Sequence, residues 1–336
     1  MRAIILVGGF GTRLRPLTLD TPKQMLPVVG ITMFERVIAR LGACGVDQAI
    51  VSLGFRPDRF TEAFPDSHCA GVELHYAIEP EPLDTAGAIA FAAADAGVDE
   101  TFLVVNGDVL TDLDYAWLVQ RHRDLGAEAT LHLIAVEDPS RFGVVLTDDT
   151  DRVLEFIEKP PAGTAASNLI NAGTYVMEPS VLARIPAGRK VSVERETFPQ
   201  IVADGSLFAV ASDVYWLDAG TPAAYLQANL DLIDGVRSSE DAIFPSADID
   251  ATARIEHSVI GSGSSVGSGA VVTDSVIMAG ARIGNGAVIR GSIVAGGAVV
   301  GEGCSIVDGA VIGSGMSVEA GSELVGGSIP DPSTWQ

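Results

Sequence analysis

Residues 6 to 16 read Leu-Val-Gly-Gly-Phe-Gly-Thr-Arg-Leu-Arg-Pro, and Lys23 follows shortly after. Glycine has no Cβ, so the backbone N–H groups around Gly8, Gly9 and Gly11 can converge on a polyphosphate. Arg13 and Lys23 supply positive charge that would neutralise such an anion. Two familiar phosphate loops are excluded. No Gly-Lys-Ser/Thr follows Gly8, as a Walker A loop requires, and "GFGTRL" (Gly9–Leu14) ends in leucine where a dinucleotide fingerprint needs its third glycine. On the glycines alone, an ordinary strand-to-helix turn with solvated arginines stands as the alternative. Asp108, in "NGDV" (Asn106–Val109), is a second candidate. It could cap a helix or close a turn, but its place after a buried strand suits a metal ligand.

The surrounding elements explain why these residues would share one edge. "AIILV" (Ala3–Val7) is an apolar run of buried-strand length. Phe34, Val37, Ile38 and Leu41 follow helical spacing, with Thr32 and Glu35 placed as a capping box and Gly42 and Gly45 as the stop. "QAIVSL" (Gln48–Leu53) and "VELHYAI" (Val72–Ile78) read as strands, Ala86–Ala96 as an alanine-rich helix, and "TFLVVN" (Thr101–Asn106) as the strand before Asp108. Alternating strands and helices predict an α/β fold with a Rossmann-like, mostly parallel sheet. Ligands on such sheets sit at the carboxyl ends of strands, where Gly8 and Asp108 fall.

Composition narrows the class. The 336 residues include 21 basic and 44 acidic side chains, a net charge of −23. That disfavours nucleic acid and anionic membranes as partners, since both are bound through clustered Lys and Arg. Three scattered cysteines, Cys44, Cys69 and Cys304, make no disulfide framework or zinc cluster. With no signal-like leader and no apolar run of membrane-spanning length, the expectation is a cytoplasmic protein.

Beyond about residue 240 the chain turns to small residues with Val and Ile. Three consecutive blocks of 17 residues start at His257, Asp274 and Gly291. Ile260, Ile277 and Val294 correspond, as do Val266, Ile283 and Val300, and Val272, Ile289 and Ile306. Ile312, Val318 and Leu324 continue the series one residue out of step. Aliphatics every five or six residues with glycine at the corners predict a parallel β-helix of hexapeptide repeats, each coil stacking on the next. A Gly/Ser-rich linker would have no reason to hold that register. The expected organisation is a catalytic domain over 1–235, a linker over 236–248, the β-helix over 249–327 and a tail over 328–336.

"GGFGTRLRPLT…TPK" (Gly8–Lys23) resembles the signature of sugar-nucleotide pyrophosphorylases, the nucleotidyltransferases that make nucleoside-diphosphate sugars. The resemblance continues through "EPLDTAG" (Glu81–Gly87), "NGDV", "FGVV" (Phe142–Val145), "EKP" (Glu158–Pro160), "NAG" (Asn171–Gly173) and "WLDAGTP" (Trp216–Pro222). A left-handed β-helix behind the catalytic domain is also a family arrangement. The resemblance implies the reaction of an NTP with a sugar 1-phosphate, giving an NDP-sugar and pyrophosphate. Two anions must meet, so positioning and charge neutralisation would dominate. It further implies that the glycine loop and Arg13 hold the β- and γ-phosphates while Lys23 reaches the α-phosphate. Asp108 and Asp218 would hold Mg²⁺. The implied nucleotide set is Leu6, Gly8, Gly9, Gly11, Thr12, Arg13, Lys23, Glu79, Thr85, Ala86 and Gly87. The sugar-phosphate set is Asn106, Gly143, Glu158, Lys159 and Asn171. No covalent intermediate is expected, since no Ser or Cys sits in a nucleophile motif.

"LVGG" (Leu6–Gly9), "EPLDTAG" and "SVERETFP" (Ser192–Pro199) resemble mannose-1-phosphate guanylyltransferases, which implies GTP and mannose 1-phosphate. "PKQMLP" (Pro22–Pro27) is closer to thymidylyl- and uridylyltransferases acting on glucose 1-phosphate, and Asp84 stands where the family loop usually carries glycine. A non-catalytic nucleotide-sugar-binding regulator is an alternative of another class, and retention of Arg13, Lys23, Asp108 and Asp218 together argues against it. An acyltransferase activity in the β-helix would want a general-base histidine inside the coils, and only His257 lies there, at the first corner. His68, His75, His122 and His132 show no metal spacing. The β-helix is expected to serve homo-oligomeric assembly.

Overall fold

The computed structural model describes residues 1–54, 56–237 and 239–335. The chain forms two compact units. The first comprises Met1–Gly9 and Phe34–Trp216; the second comprises Phe10–Met33 and everything from Leu217 onward.

The first unit is built on a ten-stranded sheet. Its members here are β1 (Arg2–Leu6), β2 (Gln48–Leu53), β3 (Val72–Ile78), β4 (Phe102–Asn106), β5 (Ala129–Ala135), β6 (Gly143–Thr147), β7 (Val153–Glu158), β8 (Leu169–Met177) and β9 (Leu207–Ala211). The order β7-β6-β8-β4-β1-β2-β3 runs across it, with β5 and β9 continuing from β8. β4, β1, β2 and β3 are parallel, and β8 enters antiparallel to β4. This is the mostly parallel α/β sheet expected from the alternating pattern. Ile4, Ile50, Val104, Leu131, Tyr175, Met177 and Phe198 are buried in one core. Helix α1 (Met33–Ala43) runs through Gly42 rather than stopping there. A Cβ at Gly42 would lie 2.8 Å from Val72 Cγ2, so that glycine permits close packing. Gly45, with φ +85, turns the chain. Helix α2 (Asp84–Asp95) starts two residues earlier than the alanine run suggests.

In the second unit, helix α3 (Pro222–Ile233) is capped by the Thr221 hydroxyl, which accepts from Ala224 N at 3.2 Å. Its buried side chains anchor the segment 10–33. Tyr225 Oη donates to the Pro27 carbonyl, and Asn229 Oδ1 accepts from Val29 N at 2.9 Å. From Asp248 to Ile329 the chain winds through three five-stranded parallel sheets. The observed pairings are Ile260↔Ile277↔Val294↔Ile312, Val266↔Ile283↔Val300↔Val318 and Val272↔Ile289↔Ile306↔Leu324. These are the three series expected from the repeat, stacked as the core of a left-handed β-helix. The one-residue slip falls at Asp308 and Gly309, two left-handed residues (φ +59 and +81) at the corner that Gly291 turns in the preceding coil. Val259, Val276, Ile293 and Val311 point outward from one sheet yet are buried.

Candidate active site

In the first unit, β1 and β4 lie side by side with Leu6 opposite Asn106, and Gly107 N donates to Leu6 O at 3.0 Å. Gly8 and Gly9 are exposed beyond the end of β1, while Asp108, beyond β4, is only 8% exposed. Gly173 leaves room for the Asn106 side chain. At φ +74, Gly173 adopts a conformation that glycine enters freely, and a Cβ there would come within 2.9 Å of Asn106 Cγ.

The loop expected to face a base is tied at both ends. Glu79 accepts from Ser52 Oγ at 2.9 Å and from Leu83 N at 3.0 Å. Asp84 has φ +62, the left-handed conformation that glycine enters freely, and its own Oδ1 accepts from Thr85 N at 2.8 Å. The departure from glycine at this position therefore keeps a glycine-like backbone. Thr85 Oγ1 donates to Glu194 Oε2 at 2.8 Å and accepts from Val193 N at 2.8 Å. Ala86 and Gly87 are buried, and both N–H groups donate to Val191 O. The "EPLDTAG" and "SVERETFP" segments are thus one structure. Ser192 Oγ donates to Glu194 Oε2 at 2.7 Å, and this pair, against the loop expected to face the base, was not singled out from the motifs.

The expected sugar-phosphate residues also gather within this unit. Gly143 pairs with Glu158 across β6 and β7; a Cβ on Gly143 would lie 2.9 Å from Phe156 Cε1 and 3.0 Å from Glu158 Oε2. Lys159 follows at φ +49, held there by its N–H to Phe142 O at 3.0 Å, and its ammonium pairs with Glu158 at 3.0 Å. A lysine kept in the left-handed region is strained by roughly 1–3 kcal/mol, the kind of outlier that marks functional loops. Asn171 sits in a bulge of β8, its Nδ2 donating to Tyr175 Oη at 2.9 Å and its Oδ1 accepting from Gly173 N at 3.0 Å. Its side chain therefore shapes the strand, and Oδ1 keeps one further lone pair. Trp216 donates Nε1 to Ala172 O at 2.9 Å and packs edge-on against Phe142 at 5.6 Å.

In the second unit, Gly11 (φ +58) opens a short turn over Thr12–Leu14, and Thr18 Oγ1 donates to Gly11 O at 2.8 Å. Arg13 Nη2 lies 3.9 Å from Asp218 Oδ2. A Cβ at Gly220 would sit 2.8 Å from both Arg13 Nη2 and Asp218 Oδ1, so glycine at 220 lets the two charges approach. Lys23 is half-buried, its Cβ 3.4 Å from where a Gly11 Cβ would stand. Asp108 and Asp218 are hard carboxylate donors that suit a divalent ion. Among the described residues no group of three or more His, Cys, Asp or Glu forms a metal cluster. His122 and His132 are buried in hydrogen bonds to Thr130 and Ser212.

A glycine-rich turn beyond the first strand of a mostly parallel sheet, with an acid beyond the neighbouring strand, is the arrangement expected of a nucleotidyl-transfer enzyme. The nucleotidyl transferase family model matches residues 2–235, and an EIF2B subunit epsilon LbH domain model matches residues 223–324. The chain belongs to the nucleotidyl transferase family, whose members generally use a divalent metal. It is 41% identical to the mannose-1-phosphate guanylyltransferase of Mycobacterium tuberculosis, over 80% of this chain and 77% of that one. It is 38% identical to the probable mannose-1-phosphate guanylyltransferase 1 of Oryza sativa, over 80% of this chain and 75% of the relative. Among solved structures, HddC from Yersinia pseudotuberculosis aligns with a TM-score of 0.59 at 29% identity, covering 68% of this chain and 97% of that one. A putative glucose-1-phosphate thymidylyltransferase from Bacillus anthracis aligns with a TM-score of 0.61 at 25% identity, covering 68% and 94%. No helix among the described residues is long and apolar enough to cross a membrane.

Proposed function

We propose that the protein joins GTP and mannose 1-phosphate to give GDP-mannose and pyrophosphate. The observation that carries this reading is 41% identity, spread over four fifths of the chain, to an enzyme of that name. The "EPLDTAG" and "SVERETFP" segments that resemble the same enzymes also interlock through Thr85 and Glu194. In the proposed reaction a phosphate oxygen of the sugar phosphate attacks the α-phosphorus of GTP. The bond to the bridging oxygen breaks, and pyrophosphate leaves with that oxygen. Gly8, Gly9, Gly11, Thr12 and Arg13 bind the β- and γ-phosphates and meet the charge that grows on pyrophosphate. Lys23 neutralises the α-phosphate. Leu6, Glu79, Thr85, Ala86 and Gly87 form the base side. Lys159 draws in the second anion, while Asn106, Gly143, Glu158 and Asn171 orient the sugar. Asp108 and Asp218 would hold Mg²⁺, which supplies charge neutralisation at the phosphates. No residue forms a covalent intermediate.

The domain division at 1–235, 236–248, 249–327 and 328–336, with β-helix strands reaching Asp248 at one end and Ile329 at the other, a cytoplasmic location and homo-oligomeric assembly through the β-helix belong to the same proposal. The test crosses mannose 1-phosphate and glucose 1-phosphate with GTP, UTP, dTTP and ATP and follows pyrophosphate release. GTP with mannose 1-phosphate is expected to dominate. Turnover with dTTP or UTP and glucose 1-phosphate instead would favour the thymidylyl- or uridylyltransferase reading suggested by "PKQMLP". Binding of GDP-mannose without turnover in any pair would favour the regulatory one. Asp108→Asn and Asp218→Asn are each expected to lower Mg²⁺-dependent turnover by about 10²-fold or more while the melting temperature is kept.

A further inference from the structure

The segment carrying Gly11, Thr12, Arg13 and Lys23 belongs to the same compact unit as the β-helix. Its point of contact with the last coil is specific. Gly313 follows the strand Val311–Ile312, and a Cβ on it would lie 3.3 Å from Pro16 Cβ, 3.2 Å from Pro330 Cδ and 3.1 Å from Ile329 O. The backbone at Gly313 is outside the left-handed region, so its conformation does not demand glycine. Nor does the corner as such. The residues occupying the same ladder position in the preceding coils are Gly261, Met278 and Ala295, each donating its N–H one coil onward as Gly313 does, so the position admits glycine without requiring it. Glycine is therefore present at 313 where two prolines close in, one from the signature loop and one from the coil's own continuation.

From Pro16 the connection to the phosphate loop is short and bonded throughout. Pro16 is buried and its carbonyl accepts from Leu19 N. Leu17 N donates to Leu14 O at 3.0 Å, Leu14 N donates to Gly11 O at 2.9 Å, and Thr18 Oγ1 donates to the same Gly11 carbonyl at 2.8 Å. Leu14 and Leu17 are buried at 0% and 2% exposure. A displacement imposed at Pro16 is thus passed through buried Leu14 and Leu17 to the Gly11 carbonyl, from which the exposed Thr12 and Arg13 continue. At the other end of the segment, Asn229 and Tyr225 hold Val29 and Pro27, so the loop is fastened on both sides within one unit.

We infer that the terminal coil of the β-helix, through Gly313 seated on Pro16, is a positioning element for the nucleotide-phosphate loop. Gly313 touches no reacting atom and acts through Pro16. The inference rests on the reading of Gly11–Arg13 as the nucleotide loop, and it makes the β-helix part of how nucleotide is held rather than an appendage. The consequence is asymmetric, because this segment carries the proposed triphosphate ligands Gly11, Thr12, Arg13 and Lys23, whereas the proposed sugar-phosphate residues all belong to the sheet unit.

The test is Gly313→Ala in the full-length chain, beside Gly301→Ala as a control. A Cβ at Gly301 would stand 2.6 Å from Ala320 N, so that variant strains the β-helix backbone without touching the loop. Alanine at 313 forces neighbours apart by tenths of an ångström, and a shift of that order is expected to raise KM for GTP by about three- to tenfold. KM for mannose 1-phosphate should stay unchanged, and direct titration with GTP should show the same weakening. Gly301→Ala should lower the melting temperature more than Gly313→Ala while leaving the GTP affinity of the folded protein intact. Unchanged GTP affinity in Gly313→Ala overturns the inference. So does a parallel loss of both substrates in both variants, which is what general destabilisation of the β-helix gives. Wild-type protein that binds no GTP in the same titration overturns the nucleotide-loop reading, and the inference with it.

Discussion

At the scale of single residues, the proposed site rests on absent Cβ atoms as much as on charges. Gly220 lets Arg13 and Asp218 share a space that one methyl group would fill, since it would stand 2.8 Å from each. Gly220→Ala should therefore turn the guanidinium or the carboxylate away without disturbing the helix behind it. The expected result is a fall in kcat of about ten- to a hundredfold with a raised Mg²⁺ requirement and little change in melting temperature. A stopped-time pyrophosphate assay over an Mg²⁺ series reads both; an unchanged kcat would remove the Arg13–Asp218 approach from the mechanism. Gly143→Ala probes the other substrate. Its Cβ would push on Phe156 and Glu158, raising KM for mannose 1-phosphate by about threefold or more while KM for GTP holds. Arg13, Asp218 and Gly143 could be proposed from the sequence because they sit in long motifs. The service of Gly220 could not, because it follows from two chain segments about 200 residues apart meeting in space. Glu194 escaped for the same reason: only the fold sets it on Thr85.

Among the elements, the β-helix was the most legible, because a ladder core repeats its demand on sequence in every coil. The position of the aliphatics fixed which residues stack, and the slip at Asp308-Gly309 is absorbed at a corner and leaves the three ladders in line. What the repeat did not disclose is the outward burial of Val259, Val276 and Ile293, which depends on what packs over that sheet. Ile289, wholly buried in the ladder, should cost about 2–5 kcal/mol when cut to alanine, measured by denaturant unfolding. A pH dependence is built in at the first corner. His257 hydrogen-bonds Asp274 at 2.5 Å and Asp234, just past α3, at 3.0 Å, and these carboxylates raise its pKa above the usual histidine value. Its contribution to stability is therefore complete below about pH 6.5 and is lost as pH climbs through the raised value. His132 has the opposite sign. Burial lowers it to about 4, so the unfolded chain takes up its proton first and stability falls as pH drops below about 6.5. Thermal melts should peak between these limbs. His257→Gln should flatten the alkaline limb and leave the acid limb in place; if both limbs persist, His257 is not the titrating latch.

Taken whole, the molecule is an anion that must capture two anions. Its net charge of −23 repels GTP and sugar phosphate at long range, whereas the proposed ligands Arg13, Lys23 and Lys159 would attract them only at short range. Composition disclosed this conflict at once, and the proposed site meets it with cations placed locally in loops. What composition could not disclose is the partition into units, with the signature loop held beside the β-helix ladder rather than with the strand it follows. That partition depends on packing, not on sequence order. The opposed charges make a prediction that neither residues nor elements make alone. Screening shortens the reach of surface charge from about 30 Å at 0.01 M salt to about 8 Å at 0.15 M. The diffuse repulsion is damped over that range, while contacts within a few ångströms persist. With Mg²⁺ held in excess, kcat/KM for GTP should therefore rise by about two- to fivefold as NaCl is raised across that interval. A steady fall with salt would mean instead that the local cations govern the approach of substrate from a distance, and that the acidic surface has no influence on capture.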